Sequence, residues 1–455
     1  MLSAQCACNM GLKLNPSLFQ ESLIGIMAAV AVPAVTGPVF RNLQRSKLPN
    51  KPTIAFTMAP THVAYANTLR RLILTSVPSV GFRAEPREDS DVSDISILAN
   101  STPMTNEMLA HRIGLLPVYA ENPLEWNPDM YRFELHVENE SEKPRDVTCS
   151  DFKISYKKDT EWIYDASLTE RFFPRHPLTG DTCLIAILKE RAPGNKPESI
   201  HLKARATLGI GRENARYIPT AVSSYAYTLD TDPANVKATF DKWLQNHKMI
   251  SPDSIETDAV KKAALEAEFN TLARNRCFLK DPETGEPYSF DFLVESVGVL
   301  TCETIVERAL EAGMKLCQRF GGESLPQDVT VQLANARMTG FDFIVKEQDH
   351  TLGHLLQAWL DQHLIGKGEL TFAGYDVTHP LKDEIVIRLG TFDAKENTAR
   401  QLFRQAAMGC AVMFQNWLTQ WRAFIGGGIQ VATAAARERN PTTAAKRSVL
   451  RPQKK

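Results

Sequence analysis

The 455-residue chain is 43% hydrophobic and 23% charged, ordinary values for a globular protein with room for about two to four domains. Its 52 basic and 53 acidic residues leave a formal net charge of -1, which excludes a global nucleic-acid footprint and makes any such contact local. Eight cysteines form no Cys-x-x-Cys pair, excluding a zinc ribbon or a thioredoxin-like site and suiting free thiols in a reducing compartment.

Residues 1–46 form an extension of low charge. Leu23–Phe40 is uncharged. Gly25, Pro33, Gly37 and Pro38 interrupt that run, and it barely reaches the ~20 residues of a spanning helix. The preceding residues are a poor secretory n-region. A docking arm on the folded body is the expectation, rather than a membrane or signal segment.

Thr53–Met58 alternates as a strand does. A helix follows over about Val63–Val77, with Val63, Ala66, Leu69, Ile73 and Val77 at helical spacing, and Pro78 ends it. Leu72 and Leu74 widen its apolar arc beyond half the circumference, so it packs on more than one sheet. Only Asn67, Thr68, Arg71 and Thr75 share the polar side, with Arg70 at the edge of the stripe.

Residues 83–105 are acidic and polar, as at a domain boundary. Asn106–Leu116 reads as a short helix stopped by Gly114 and Pro117. Alternating runs at Tyr131–Val137, Phe152–Tyr156, Cys183–Leu188, His201–Leu208 and Ser223–Tyr227 predict a mostly β insert. Two helices follow, one at 234–247 with Val236, Phe240, Trp243 and Leu244 on one side, the other at Asp258–Ala273.

Tyr288, Phe290, Phe292 and Val294 mark a strand. Thr301 caps a helix to Phe320 whose Ile305, Ala309, Ala312 and Leu316 share a face. A polar linker then runs to Gly340. Phe341, Phe343 and Val345 alternate, and Asp349 caps a helix striped by Leu352, Leu355, Leu356, Trp359 and Leu360. Strands are expected at Leu370–Phe372 and Ile385–Leu389. A long helix carries Leu402, Ala406, Cys410, Met413, Trp417, Trp421 and Phe424 on a stripe that wants a partner helix as well as a sheet. Beyond Glu438 the chain is basic without an acid and reads as a disordered tail.

Three features suggest chemistry, and each has a plainer reading. Gly209-x-Gly211 lacks the third glycine and the strand–helix context of a dinucleotide fingerprint, which leaves a turn. His111-Arg112 has no accompanying nucleophile or carboxylate motif. His350 and His354 stand four apart on a helix without a glutamate or third ligand.

Asn67-Thr68-Leu69-Arg70-Arg71-Leu72-Ile73-Leu74 with Val77-Pro78, then His111-Arg112-Ile113-Gly114-Leu115-Leu116-Pro117, resembles the α-like subunit of DNA-dependent RNA polymerases: the third-largest of polymerase II, archaeal D and bacterial α. Gly209–Pro219 resembles the end of that family's insert domain, and Phe292–Gly298 its return to the dimerisation domain. Asp349-His350-Thr351-Leu352-Gly353-His354-Leu355-Leu356, with Phe372–Tyr375 and His379-Pro380-Leu381, is similar to the small α-like partner, the eleventh subunit of polymerase II or archaeal L. Together these motifs span about 53–425. Two chains in cellular polymerases stand here in one, an arrangement that resembles fused subunits of large DNA viruses.

The resemblance implies an α+β fold: two α-like dimerisation halves forming an intramolecular pseudo-dimer, with the β insert in the first. Its domains would be 47–82 with 228–325 (first half), 83–227 (insert), 326–340 (linker), 341–430 (second half) and 431–455 (tail). The pseudo-dimer interface would comprise Leu69, Ile73, Ile305, Leu316, Leu352, Leu355, Leu356, Trp359, Met413 and Trp417. Asn67, Arg70, Arg71, Thr75, His111 and Arg112 would meet the large subunits, arginine suiting an interface through its planar fork; a solvated face is the alternative for the arginine pair. The implied role is a non-catalytic assembly platform for two large catalytic subunits, which hold the magnesium, with small zinc-binding subunits docking as well. No cofactor is expected in this chain. Relatives of the polymerase II type hold zinc through an insert cysteine cluster, whereas this insert has only Cys149 and Cys183. The expected location is host cytoplasm and virion, alternatively the nucleus. The competing reading is a free-standing transcription-regulatory scaffold with the same fold; a stand-alone enzyme has no supporting site.

Overall fold

A computed structural model describes residues 39–46, 48, 52–85, 93–191, 193–255, 258–334, 338–393 and 395–438, the last without side chains after 426. Most of the uncharged N-terminal run and the basic tail lie outside these residues. In chain order, Phe40–Arg45 (β1) and Thr53–Met58 (β2) precede helix Val63–Thr75 (α1) and Pro78–Phe82 (β3). Ile95–Asn100 (β4), Asn106–Gly114 (α2), Tyr131–Asn139 (β5), Arg145–Thr148 (β6), Phe152–Lys158 (β7), Glu161–Tyr164 (β8) and Ala166–Phe172 (α3) come next. Leu184–Leu188 (β9), Glu198–Ala204 (β10), Ala206–Ile210 (β11), Thr220–Tyr227 (β12), Pro233–Trp243 (α4), Ala259–Leu272 (α5) and Phe290–Ser296 (β13) follow. The last elements are Cys302–Gly321 (α6), Val329–Leu333 (β14), Gly340–Lys346 (β15), His350–Leu360 (α7), Phe372–Asp376 (β16), Glu384–Gly390 (β17) and Glu396–Glu438 (α8).

The chain divides into two compact units, Pro38–Lys315 with the segment from Phe414 onward, and Leu316–Met413. The division falls within α6 and within α8, so each helix contributes residues to both units.

The larger unit holds an antiparallel sheet of order β1-β2-β13-β12. Phe56 stacks on Phe292 of the neighbouring strand at 5.1 Å, and both are buried. Helices α1 and α6 and the Phe414–Trp421 turns of α8 pack together in this unit. Gly313 of α6 is the close-approach point, since a Cβ there would stand 2.8 Å from Leu72 and 3.0 Å from Phe414. Trp421 is fully buried, with its ring 5.1 Å from Phe40 and 5.0 Å from Phe56, and its indole N–H donates to the Glu303 carbonyl at 3.2 Å. Arg422 adds ion pairs to Glu307 and Glu311, largely solvated and so weak.

The region expected to be the insert lies in the same unit. Its five-stranded sheet runs β4-β10-β5-β7-β8, with ribbons β3-β11 and β6-β9 beside it. Phe82, Phe133, Phe152, Phe172 and Phe173 share its core. Between β12 and β13, α4 and α5 bury a small core of their own, including Phe240, Trp243, Leu244, Leu265 and Phe269.

The smaller unit repeats the scheme with the sheet β14-β15-β17-β16. Phe343 stacks on Phe403 at 4.6 Å. Asp349 caps α7 by accepting from the Thr351 N–H at 2.8 Å, satisfying one of its orphan donors. Asp342, buried in β15, forms a forked pair with Arg388 at 2.6 and 2.7 Å.

Several expected boundaries move. The N-terminal extension ends earlier than residue 46, because Phe40–Arg45 pairs with β2 and Val39 and Phe40 are buried. Ser223–Tyr227, expected in the insert, belongs to the edge strand of the first sheet and registers against Phe290–Val294 of β13. The expected linker contains β14, paired with β15 from Val329↔Val345 to Leu333↔Phe341. The strand expected at Leu370–Phe372 starts at Phe372, and α8 continues beyond the glycines at 426–428.

Gly409 on α8 faces Trp359, whose indole occupies the space a side chain would need. Gly409→Val should lower the denaturant midpoint by an amount equivalent to about 1–3 kcal/mol, the usual cost of overpacking. Gly426→Ala on the same helix, where a Cβ meets nothing within 4 Å, should not lower it. Equal midpoints for the two variants would disprove the close packing at Gly409.

Candidate functional site

Helix α1 begins where His62 Nδ1 accepts from the Ala64 N–H at 3.2 Å. Leu69, Leu72 and Ile73 are buried, as their spacing requires. Thr68 departs from its expected place on the polar arc. It is buried, and its hydroxyl donates back to the Ala64 carbonyl at 2.8 Å, which removes its polarity from the surface. Thr75 likewise donates to the Arg71 carbonyl at 2.9 Å. Asn67, Arg70, Arg71 and Thr75 are half-buried.

Asn67 and Arg70 open onto a cleft of about 1070 Å³ between α1 and the edge strand β12. Arg70 Nε donates to Asn67 Oδ1 at 3.0 Å, and Ser223 of β12 donates to the Arg70 carbonyl at 3.3 Å. Tyr225, Tyr227, Arg276, Phe278 and Asp291 complete the principal walls. Burial pushes the Tyr225 phenol above its usual range with help from Tyr227, and Arg70 opposes the shift. The cleft therefore sets Arg70 and Arg276 beside Asp291 and is aromatic along β12. Arg71 and Thr75 do not line it.

The motif Gly209–Tyr217 lies beside the C-terminal end of α1. A side chain at Gly209 would overlap the buried Tyr217 ring, and one at Gly211 would overlap the Leu74 carbonyl. These glycines thus allow backbone to lie directly against a ring and against the end of a helix. Arg212 N–H donates to the Thr75 carbonyl at 2.9 Å, and Ser79 Oγ donates to the Tyr217 carbonyl at 2.6 Å. Thr207 hydrogen-bonds Asp94 at 2.8 Å and Tyr217 at 3.2 Å.

Arg216, whose side chain is only 5% exposed, donates to the Phe82 carbonyl at 2.8 Å and to both Glu85 oxygens at 2.5 Å. Partial burial opposes the Glu85 charge. A backbone hydrogen bond and Arg216 outweigh it and hold the carboxyl below its usual range.

His111 and Arg112 sit on α2 in the insert, apart from the cleft lining. Thr105 caps this helix, accepting from the Met108 N–H at 3.3 Å. Arg112 donates to the carbonyls of Ile185 at 2.7 Å and Leu184 at 3.0 Å, so its guanidinium is engaged inside the insert. His111 is exposed.

Leu69, Ile73, Ile305 and Trp417 are buried in the larger unit, and Leu352, Leu355, Leu356 and Trp359 in the smaller; Leu316 and Met413 are half-buried. Both His350 and His354 lie against the Tyr375 ring, at centroid distances of 5.8 and 6.1 Å. Among the described residues, no group of three or more His, Cys, Asp or Glu side chains is arranged to hold a metal, and no helix is long and apolar enough to cross a membrane.

Sequence comparison gives a consistent picture. Residues 341–420 match the family described as the RNA polymerase Rpb3/Rpb11 dimerisation domain. The human "DNA-directed RNA polymerases I and III subunit RPAC1" is 26% identical over 300 residues, covering 59% of this chain and 80% of that protein. "DNA-directed RNA polymerase II subunit RPB3" of Schizosaccharomyces pombe is 27% identical over 278 residues, with coverage of 57% and 80%. "DNA-directed RNA polymerase subunit Rpo3" of Pyrococcus furiosus is 23% identical over 279 residues, with coverage of 60% and 92%.

The depressed Glu85 carboxyl predicts the sign of a pH effect. Its pairing stabilises the fold above the unfolded carboxylate value of about 4.3, and that contribution disappears as pH falls through the lower folded value. The melting-temperature gap between the native chain and Glu85→Gln should therefore be open at neutral pH and close in acid. A gap that persists at the lowest pH would contradict the assignment.

Proposed function

We propose that this chain is a non-catalytic assembly subunit of a DNA-directed RNA polymerase, and that it carries both α-like halves of the usual heterodimer in one polypeptide. The observation that carries the reading is the concurrence of the matched dimerisation domain at 341–420 with more than half the chain resembling RPAC1, RPB3 and Rpo3. The two four-stranded antiparallel sheets, each combined with helices in its own unit, support two halves of like design. The pseudo-dimer is supported by the seating of Phe414, Trp417 and Trp421 in the core that also contains α1 and α6. Covalent fusion makes such pairing intramolecular, with an effective concentration on the order of millimolar.

In this reading the chain is a platform for two large subunits, which contain the magnesium and perform nucleotidyl transfer, and for small subunits of the zinc-binding type. Asn67 and Arg70 line the cleft, and Arg71 and Thr75 extend the same helix surface. His111 belongs to a second, insert-borne contact. Arg112 is a positioning residue there, because its two carbonyl partners hold α2 against β9. The fused arrangement extends the proposal to a polymerase of a large DNA virus, working in host cytoplasm and carried in the virion, with the nucleus as alternative.

Co-purification from the native source tests the function: large polymerase subunits should accompany the chain, and their absence sinks the reading. The double variant Arg70→Glu/Arg71→Glu should keep a native circular dichroism spectrum and lose co-assembly with the large subunits by tenfold or more; normal assembly would remove this helix from the interface. The purified chain should contain no stoichiometric zinc by elemental analysis, and one equivalent would overturn the cofactor proposal.

A further inference from the structure

The insert contains a pair of cysteines that neither the assembly role nor the cleft uses. Cys149 follows β6 and Cys183 precedes β9, and these strands pair antiparallel with Thr148 opposite Leu184. Continuing that register by one residue sets Cys149 opposite Cys183, and the Cys149 N–H donates to the Cys183 carbonyl at 3.0 Å. Directly opposed residues of an antiparallel pair bring Cβ atoms to about 4.5–5.5 Å, and a disulfide needs about 3.5–4.5 Å, so a small local adjustment closes the bond.

The two thiols differ in access. Cys149 is 1% exposed within the insert core, whereas Cys183 is exposed at the end of the turn that follows α3. They also interact directly. The hydrogen bond from Cys149 draws the Cys183 thiol down to about 6, while the same contact and burial push Cys149 up. An exposed sulfur rich in thiolate beside a shielded thiol is the arrangement of an attacking and a resolving cysteine. The remaining described cysteines, Cys277, Cys302, Cys317 and Cys410, are all buried.

We infer that Cys149 and Cys183 form a reversible redox modification site, closed to an intramolecular disulfide by a peroxide and reopened by a dithiol reductant. The Cys183 thiolate attacks one peroxide oxygen, the O–O bond breaks, and hydroxide leaves with a proton as water. The Cys183 sulfenic acid is then attacked by Cys149 sulfur, the S–O bond breaks, and the second water departs with the Cys149 proton. Two thiols and one hydrogen peroxide give one disulfide and two waters. Reduction by a dithiol transfers both electrons back and leaves the reductant as its own disulfide. The bond would link β9 to the start of β7 and enclose β7, β8 and α3 in a covalent loop.

The test uses the full chain with Cys6→Ser and Cys8→Ser, treated with substoichiometric hydrogen peroxide and quenched with an alkylating agent. Non-reducing peptide mapping should recover a Cys149–Cys183 linkage with the loss of two hydrogens, reversed by dithiothreitol. Cys149→Ser should instead accumulate a sulfenic acid on Cys183 that dimedone traps. Cys183→Ser should suppress oxidation at Cys149 by tenfold or more. Thermal melts of both variants establish that the insert remains folded. The inference is overturned if the folded chain yields no such linkage, if Cys183 is alkylated at pH 7 no faster than free cysteine, or if oxidation gives only intermolecular disulfides.

Discussion

The helices of the larger unit meet at a close approach. Gly313 gives α6 no side chain where Leu72 of α1 and Phe414 of α8 meet it, so three helices share one point of contact. Interiors at native density have no slack to absorb even one added methyl group there. From that point the packing spreads through Trp421 to Phe40 and Phe56, and so to the sheet. The position of α1, and with it the orientation of Arg70 and Arg71, follows from this arrangement rather than from the helix's own preference.

Much of the helical scaffold was legible in the sequence. The stripes on α1, α6, α7 and the Leu402–Trp421 turns of α8 have helical spacing because each buries one face, and periodicity reports one-sided burial directly. The alternating runs at 131–137, 152–156, 183–188 and 201–208 fall on strands, whereas residues 83–105, taken for a polar boundary, contain β4. What escaped was sheet membership. Ser223–Tyr227 alternates like its predecessors, and only its partner β13, nearly 70 residues further on by register, shows that it leaves the insert. Val329–Leu333 looked like linker because an edge strand buries little: its residues are exposed or half-buried, so no apolar pattern marks it.

The candidate site divides in the same way. Asn67 stands out on the polar arc of an apolar helix, whereas Arg70 sits at the edge of the stripe and Arg71, on the arc, does not line the cleft. Tyr225, Tyr227, Arg276 and Asp291 reach the same cleft from distant segments, and nothing local in their sequence sets them apart. Arg112 is a different case: the resemblance groups it with the interface residues, and strand β9 offers its guanidinium two carbonyls that no local pattern announces. Thr68 was assigned by polarity to the outside, yet its own helix supplies a carbonyl acceptor and lets it be buried.

The contact of Gly211 with the Leu74 carbonyl has a mechanical meaning. Side chains can change rotamer and let two elements hinge, but backbone against backbone has no such freedom. Arg212, Ser79 and Arg216 then fasten the same junction on three sides. Residues 209–217 are thus seated on the C-terminal end of α1, so the strands leading into them and the helix that carries Arg70 share one backbone junction.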